Sequence, residues 1–166
     1  MKATERFPHQ RSRRGWRVAA LVLGVLSMLA GCSHLMMMMH GQVDPPPASE
    51  FGFGPRTSSN GLYEVSIEPM QPLKVRQLHT MKLTIASRGA GEADGRTPVD
   101  DATITVDGGM PQHGHGLPTR PQVTSRIAPG TYQVEGVRFN MGGWWELEFH
   151  IASAAGTDSV TFNLDL

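Results

Sequence analysis

The chain has one cysteine in 166 residues, so no intramolecular disulfide can hold it and its fold must rest on an apolar core. Its longest apolar run, Val18 to Ala30, is thirteen residues, too short to cross a bilayer comfortably as a helix. No amphipathic helix of useful length can be traced, which sets aside helical bundles and α/β layers. Internal repeats are lacking, which excludes repeat arrays. No serine or cysteine nucleophile stands beside a histidine in a recognisable arrangement, so the chain is not expected to be an enzyme. Arginine and lysine are scarce outside the first 31 residues. That segment holds six of the fifteen basic residues and, in Glu5, one of the fifteen acidic ones. The rest of the chain keeps nine against fourteen, a net charge of −5, and offers no basic patch for nucleic acid.

What is present begins with that N-terminal segment. Lys2, Arg6, Arg11, Arg13, Arg14 and Arg17 precede the uncharged run, and Leu29-Ala30-Gly31-Cys32 closes it. This is the order of a secretory signal, and its last four residues resemble the lipobox of bacterial lipoproteins. The resemblance implies that Cys32 is acylated, that residues 1–31 are removed, and that the protein faces the periplasm on a lipid anchor. Ser33 after the cysteine, rather than Asp, favours the outer membrane if the host is Gram-negative.

Residues 32–60 then read as the lipidated Cys and a flexible tether, with Pro45-Pro46-Pro47 and scattered Gly, Ser and Asn. Within it, Met36 to Met39 between His34 and His40 are either a low-complexity spacer or a catch for a soft metal ion. From Gly61 onward the period is two. Tyr63, Val65 and Ile67 share one face; so do His79, Met81, Leu83 and Ile85; and so do Ala102, Ile104 and Val106. Gln122 to Ile127 is a weaker strand. Tyr132 and Val134 have the opposite parity to Val137 and Phe139, so a β-bulge is expected at Gly136. Trp145, Leu147, Phe149 and Ile151 form the next inward face, and Val160, Phe162, Leu164 and Leu166 the last. The expectation for 61–166 is all-β: an immunoglobulin-like antiparallel β-sandwich of about seven strands. Gly130-Thr131-Tyr132 suits a tyrosine at a sandwich corner.

One loop concentrates metal-ligating side chains. Met110-Pro111-Gln112-His113-Gly114-His115-Gly116 sets two imidazoles one residue apart with a thioether three before the first. Imidazole plus thioether favours copper, Cu(I) above all, whereas zinc prefers thiolate or carboxylate beside imidazole. Asn140-Met141-Gly142-Gly143 is expected to be a turn, and Trp144 after it shares parity with Glu146, Glu148 and His150, so it should face outward near Met141. His79 reads as a satisfied core histidine, His150 as a solvated face residue, and Asp100-Asp101 as a solvated turn.

The segments Pro98 to Val106, Met110 to Gly116 and Val137 to Leu147 together resemble the YtkA-like domain family, related in general shape to FixH-type proteins. The resemblance runs from about Leu62 to Leu166. It implies a small exported sandwich and copper handling, and it carries Met110, His113, His115 and Met141 over as candidate copper ligands with Trp144 near the site. Two functions compete. One is a lipid-anchored copper buffer, chaperone or delivery factor serving a copper-handling partner protein. The other is a metal-free interaction or structural module of the cell envelope.

Changing Cys32→Ser should release the protein from the membrane fraction, and mass spectrometry of the wild type should find a modified N-terminus at residue 32. An intact N-terminus on membrane-bound protein would overturn the anchor.

Overall fold

The computed structural model describes residues 43–89 and 95–166. The expected signal, Cys32 and the methionine run lie outside the described residues. Among those described, no helix is long and apolar enough to cross a membrane.

The strands expected from the alternation are all present. They are β2 (Tyr63–Pro69), β3 (Leu78–Arg88), β5 (Thr103–Met110), β7 (Gln122–Ala128), β8 (Thr131–Arg138), β9 (Trp144–Ser153) and β10 (Gly156–Asp165). Three short strands join them: β1 (Arg56–Thr57), β4 (Arg96–Pro98) and β6 (His115–Gly116). The first sheet runs β1-β2-β3-β8-β7, with β4 on the far end of β3, and the second runs β10-β9-β5-β6. All pairings within the two sheets are antiparallel. Val65, Ile67, Leu83, Ile85 and Val134 of one sheet are buried with Trp145, Leu147, Phe149, Phe162 and Leu164 of the other. That is two inner faces closing on one core. Ile104 and Val106, expected in the core, are only half-buried because β5 lies toward an edge of its sheet.

Two local expectations hold. In the β3–β8 pairing His79 faces Val137 and Thr80 faces Glu135, so Gly136 is the extra residue, at φ 85°. A bulge there turns Val137 and Phe139 inward after Tyr132 and Val134. Tyr132 donates its hydroxyl hydrogen to the Val99 carbonyl (2.7 Å) and accepts from the Ala102 N–H (3.1 Å), tying the corner before β5.

One boundary is corrected. Residues 43–60, expected to be flexible tether, are part of the domain. Phe51 bridges Asn163, the Ile67 N–H reaches the Phe53 carbonyl at 2.8 Å, and β1 pairs with β2. The lock on this segment is Asp158. Buried in β10, its carboxylate accepts from the Ser58 hydroxyl (2.6 Å), the Asn60 N–H and side chain (3.0 Å each) and the Leu62 N–H (3.3 Å). Burial works against the charge, but the Ser58 hydroxyl and the N–H groups of Asn60, Ser159 and Leu62 hold this carboxyl below the usual range. Asp100 and Asp101 are exposed, as expected, yet each caps a backbone N–H, of Gly130 (2.7 Å) and Ala154 (3.1 Å) respectively.

Phe149→Ala or Phe162→Ala should destabilise the domain by about 3–5 kcal/mol in urea unfolding, since both rings are fully buried and meet edge-to-face. For Asp158, the folded pKa is depressed, so its contribution is present above the unfolded value near 3.8 and is lost as pH falls through the folded one. Asp158→Asn should therefore cost about 1–3 kcal/mol at neutral pH. The gap between the two proteins should close in acid unfolding below that range.

Candidate functional site

The expected metal loop is a tight hairpin. β5 ends at Met110, residues 111–114 turn, and β6 returns so that Met110 faces His115 and Gly109 faces Gly116. The Met110 carbonyl accepts from the His113 and Gly114 N–H groups (3.0 and 2.9 Å), and Gly114, at φ 62°, takes the left-handed conformation that closes the turn. Directly opposed residues share a face, so His115 stands on the same side as Met110. The His113 and His115 rings stack with centroids 6.1 Å apart.

The turn carrying Met141 lies at the same end of the sandwich, because β5 and β9 are antiparallel with Gly109 opposite Glu146. A Cβ on Gly143 would meet the Met110 methyl at 3.3 Å, so the Met110 thioether lies directly under this turn. The turn itself is fixed by Gly143 N–H to the Leu166 carbonyl (2.8 Å) and Trp145 Nε1–H to the Met141 carbonyl (3.0 Å).

The four expected ligands thus share one end but not one environment. Met110 is 1% exposed and belongs to the core, whereas His113, His115 and Met141 are exposed. Among the described residues no three His, Cys, Asp or Glu side chains form a metal-holding group. A metal here would have to take thioether sulfur beside the histidine pair.

Trp144 keeps the expected outward parity but not the expected exposure. Its ring is covered: Pro45, Pro46, Ala48 and Phe51 line an open cleft of about 500 Å3 with Trp144, Gln112 and Asp165. Its Nε1–H donates to Asn163 Oδ1 at 2.9 Å. A bound ion would not meet this indole on an open surface. His79 is buried, as expected, and donates through Nε2 to the Lys74 carbonyl at 2.8 Å. His150 is exposed, 3.6 Å from Glu148. Glu146, on the same outer face, has its carboxyl pushed up, first by burial and then by the neighbouring Glu148 charge.

The proline-lined cleft escaped sequence reasoning, since nothing in Pro45-Pro46-Pro47 says which strand it will cover. Met110 as a core residue was readable: it continues the even-numbered inward face of Ile104 and Val106 past Gly108.

A comparison with curated proteins gives no match. Among solved structures the chain is similar to the ZirS C-terminal domain, at 19% identity and a TM-score of 0.38, over 76% of this chain and 84% of that one. The YtkA-like family profile matches residues 62–150, from the start of β2 through most of β9. That span holds the Met110–His115 hairpin, the Gly136 bulge and the Met141 turn, and it is more than half of the sequence. The chain therefore belongs to the YtkA-like family.

Proposed function

We propose that the protein is a β-sandwich interaction module of the cell envelope, held to a membrane through acylated Cys32. The observation that carries this reading is the division of labour at the hairpin end. Met110 is consumed by core packing, while His113, His115 and Met141 are presented on a pinned backbone. A rigid end displaying polar and adaptable side chains is suited to contacting a partner. The basic, apolar and small-residue order before Cys32 supports export and anchoring, and Ser33 supports the outer membrane.

Copper handling is the second reading, favoured by the register that opposes Met110 to His115 with His113 stacked on it. Two imidazoles and two thioethers form a soft donor set suited to Cu(I). For Met110 to join it, the 140–143 turn above its sulfur would have to lift.

Cu(I) competition against a chelator, on wild type, His113→Ala, His115→Ala and Met141→Leu, separates the two. The interaction module should give equally weak affinity in all four proteins. Stoichiometric binding that falls about tenfold or more in each variant would establish the copper reading instead.

A further inference from the structure

The loops at the hairpin end differ in composition from the rest of the domain. Residues 70–77 between β2 and β3 read Met-Gln-Pro-Leu-Lys-Val-Arg-Gln, residues 139–143 read Phe-Asn-Met-Gly-Gly, and the 111–121 stretch runs from Pro111 to Pro121. None of them contains Asp or Glu, while Lys74, Arg76, Arg120 and the adjoining Arg138 are all cationic. Register brings them to one end: Leu78 pairs with Arg138, Gln122 with Glu135, and Gly109 with Glu146. Four of the large apolar side chains left exposed are here, Met70 (51%), Val75 (40%), Leu78 (61%) and Met141 (41%). The carboxylates of Asp165 and Asp44 flank this end on the side of the second sheet.

This exposure is built into the backbone. The Met70 N–H donates to the Thr80 carbonyl (2.9 Å), the Arg76 N–H to the Phe139 carbonyl (2.6 Å), and buried His79 holds the Lys74 carbonyl from below. Arg76 sits at φ 65°, a conformation uncommon for a residue with a side chain. The loop is thus held in a shape that keeps Val75 and Leu78 outward. Single exposed apolar residues are ordinary, but several at one end, with Lys74 and Arg76 beside Val75 in the same loop, mark an interaction surface.

We infer that this end of the sandwich is a membrane-contact surface, with Met70, Val75 and Leu78 at the boundary of headgroups and acyl chains and Lys74, Arg76 and Arg120 over anionic phosphates. Apolar side chains beside Lys and Arg are the composition that binds an anionic bilayer interface. The place where the chain enters the domain agrees. Pro45 and Pro46 line their cleft together with Gln112 of the hairpin turn, so the chain arrives at this same end. Ten residues lie between Cys32 and Val43, at most about 40 Å of extended chain over the whole span, so a lipid on Cys32 would keep this end within reach of the bilayer. That last step rests on the anchor proposed for Cys32; the contact surface itself does not.

The test uses the mature chain from residue 32 carrying Cys32→Ser, so that no acyl chain contributes. Co-sedimentation with phosphatidylglycerol-containing vesicles should exceed that with pure phosphatidylcholine and should weaken with added salt. Val75→Ser with Leu78→Ser, and separately Lys74→Gln with Arg76→Gln, should each lower binding about tenfold, while Lys82→Gln on the middle of β3 should not. Circular dichroism confirms that each variant retains its sheets. No binding to anionic vesicles, or binding unchanged in both double variants, overturns the proposal, and would direct the cationic end toward an acidic protein. Failure of acylation at Cys32 would be read separately, in the membrane fraction of cells, and leaves this result standing.

Discussion

The edge-to-face contact between Phe139 and Trp145, with centroids 5.3 Å apart, joins the two sheets where the chain crosses from β8 to β9. Both rings are fully buried, and the four residues after Phe139 have to turn within the space this contact allows. Trp145 reaches back through Nε1 to the Met141 carbonyl, and Arg76 hangs from the Phe139 carbonyl. The hairpin end is therefore positioned by the core: the 140–143 turn by Trp145, the 70–77 loop by Phe139, and Met110 by the glycine turn above its methyl group. Gly136 makes this possible. Without the extra residue Phe139 would fall on the outer face of its strand, and the crossing would lose its anchor.

A sandwich with no disulfide has to secure its first strand by other means. Here the securing group is a buried carboxylate, Asp158, that collects hydrogen bonds from Ser58, Asn60 and Leu62 across about a hundred residues of sequence. Hydrogen bonds to a charged acceptor are stronger than neutral ones, and several N–H and O–H donors offset the cost of burying the charge. Once that corner is fixed, the segment before it is carried along β10. Gly52 and Ser59 donate to the Asn163 and Ser159 carbonyls, which occupies an edge that would otherwise be open to other strands.

Alternation read from the sequence recovered the seven long strands, the bulge and most of the core, because a period of two with one buried face is a local signal. The Trp144 environment was not recoverable in the same way. Parity tells which side of β9 the indole leaves from, and it leaves from the expected side. Its burial depends on Pro45, Pro46 and Phe51, about a hundred residues earlier, in a stretch whose composition resembles a linker. At the hairpin, spacing alone put Met110, His113 and His115 in one loop, whereas in the structure Met110 ends β5, His113 sits in the turn and His115 begins β6. Loop spacing left out the parity of β5, which carries Met110 onto the inward face, so that packing claims the sulfur first.

Charge is divided between the sheets, and this gives the cationic end a direction. No Lys or Arg occurs from Thr97 to Thr119 or after Arg138, so β5, β6, β9 and β10 have none. The outer face of that sheet presents Asp107 opposite Glu148, with Glu146 beside them. The Lys82–Glu68 and Arg96–Glu64 pairs lie on the first sheet; as exposed pairs they add little stability but do cancel each other's field. Lys74 and Arg76 join β2 to β3, Arg138 ends β8 and Arg120 precedes β7, so the cations at the hairpin end all belong to the first sheet. An anionic surface would attract that side and repel the other within about 8–10 Å. The segment from Asp44 to Phe51 lies against Trp144 and Asn163 on the second sheet. The entering chain thus runs along the repelled side, which leaves the loops with exposed Val75 and Leu78 clear to meet the surface.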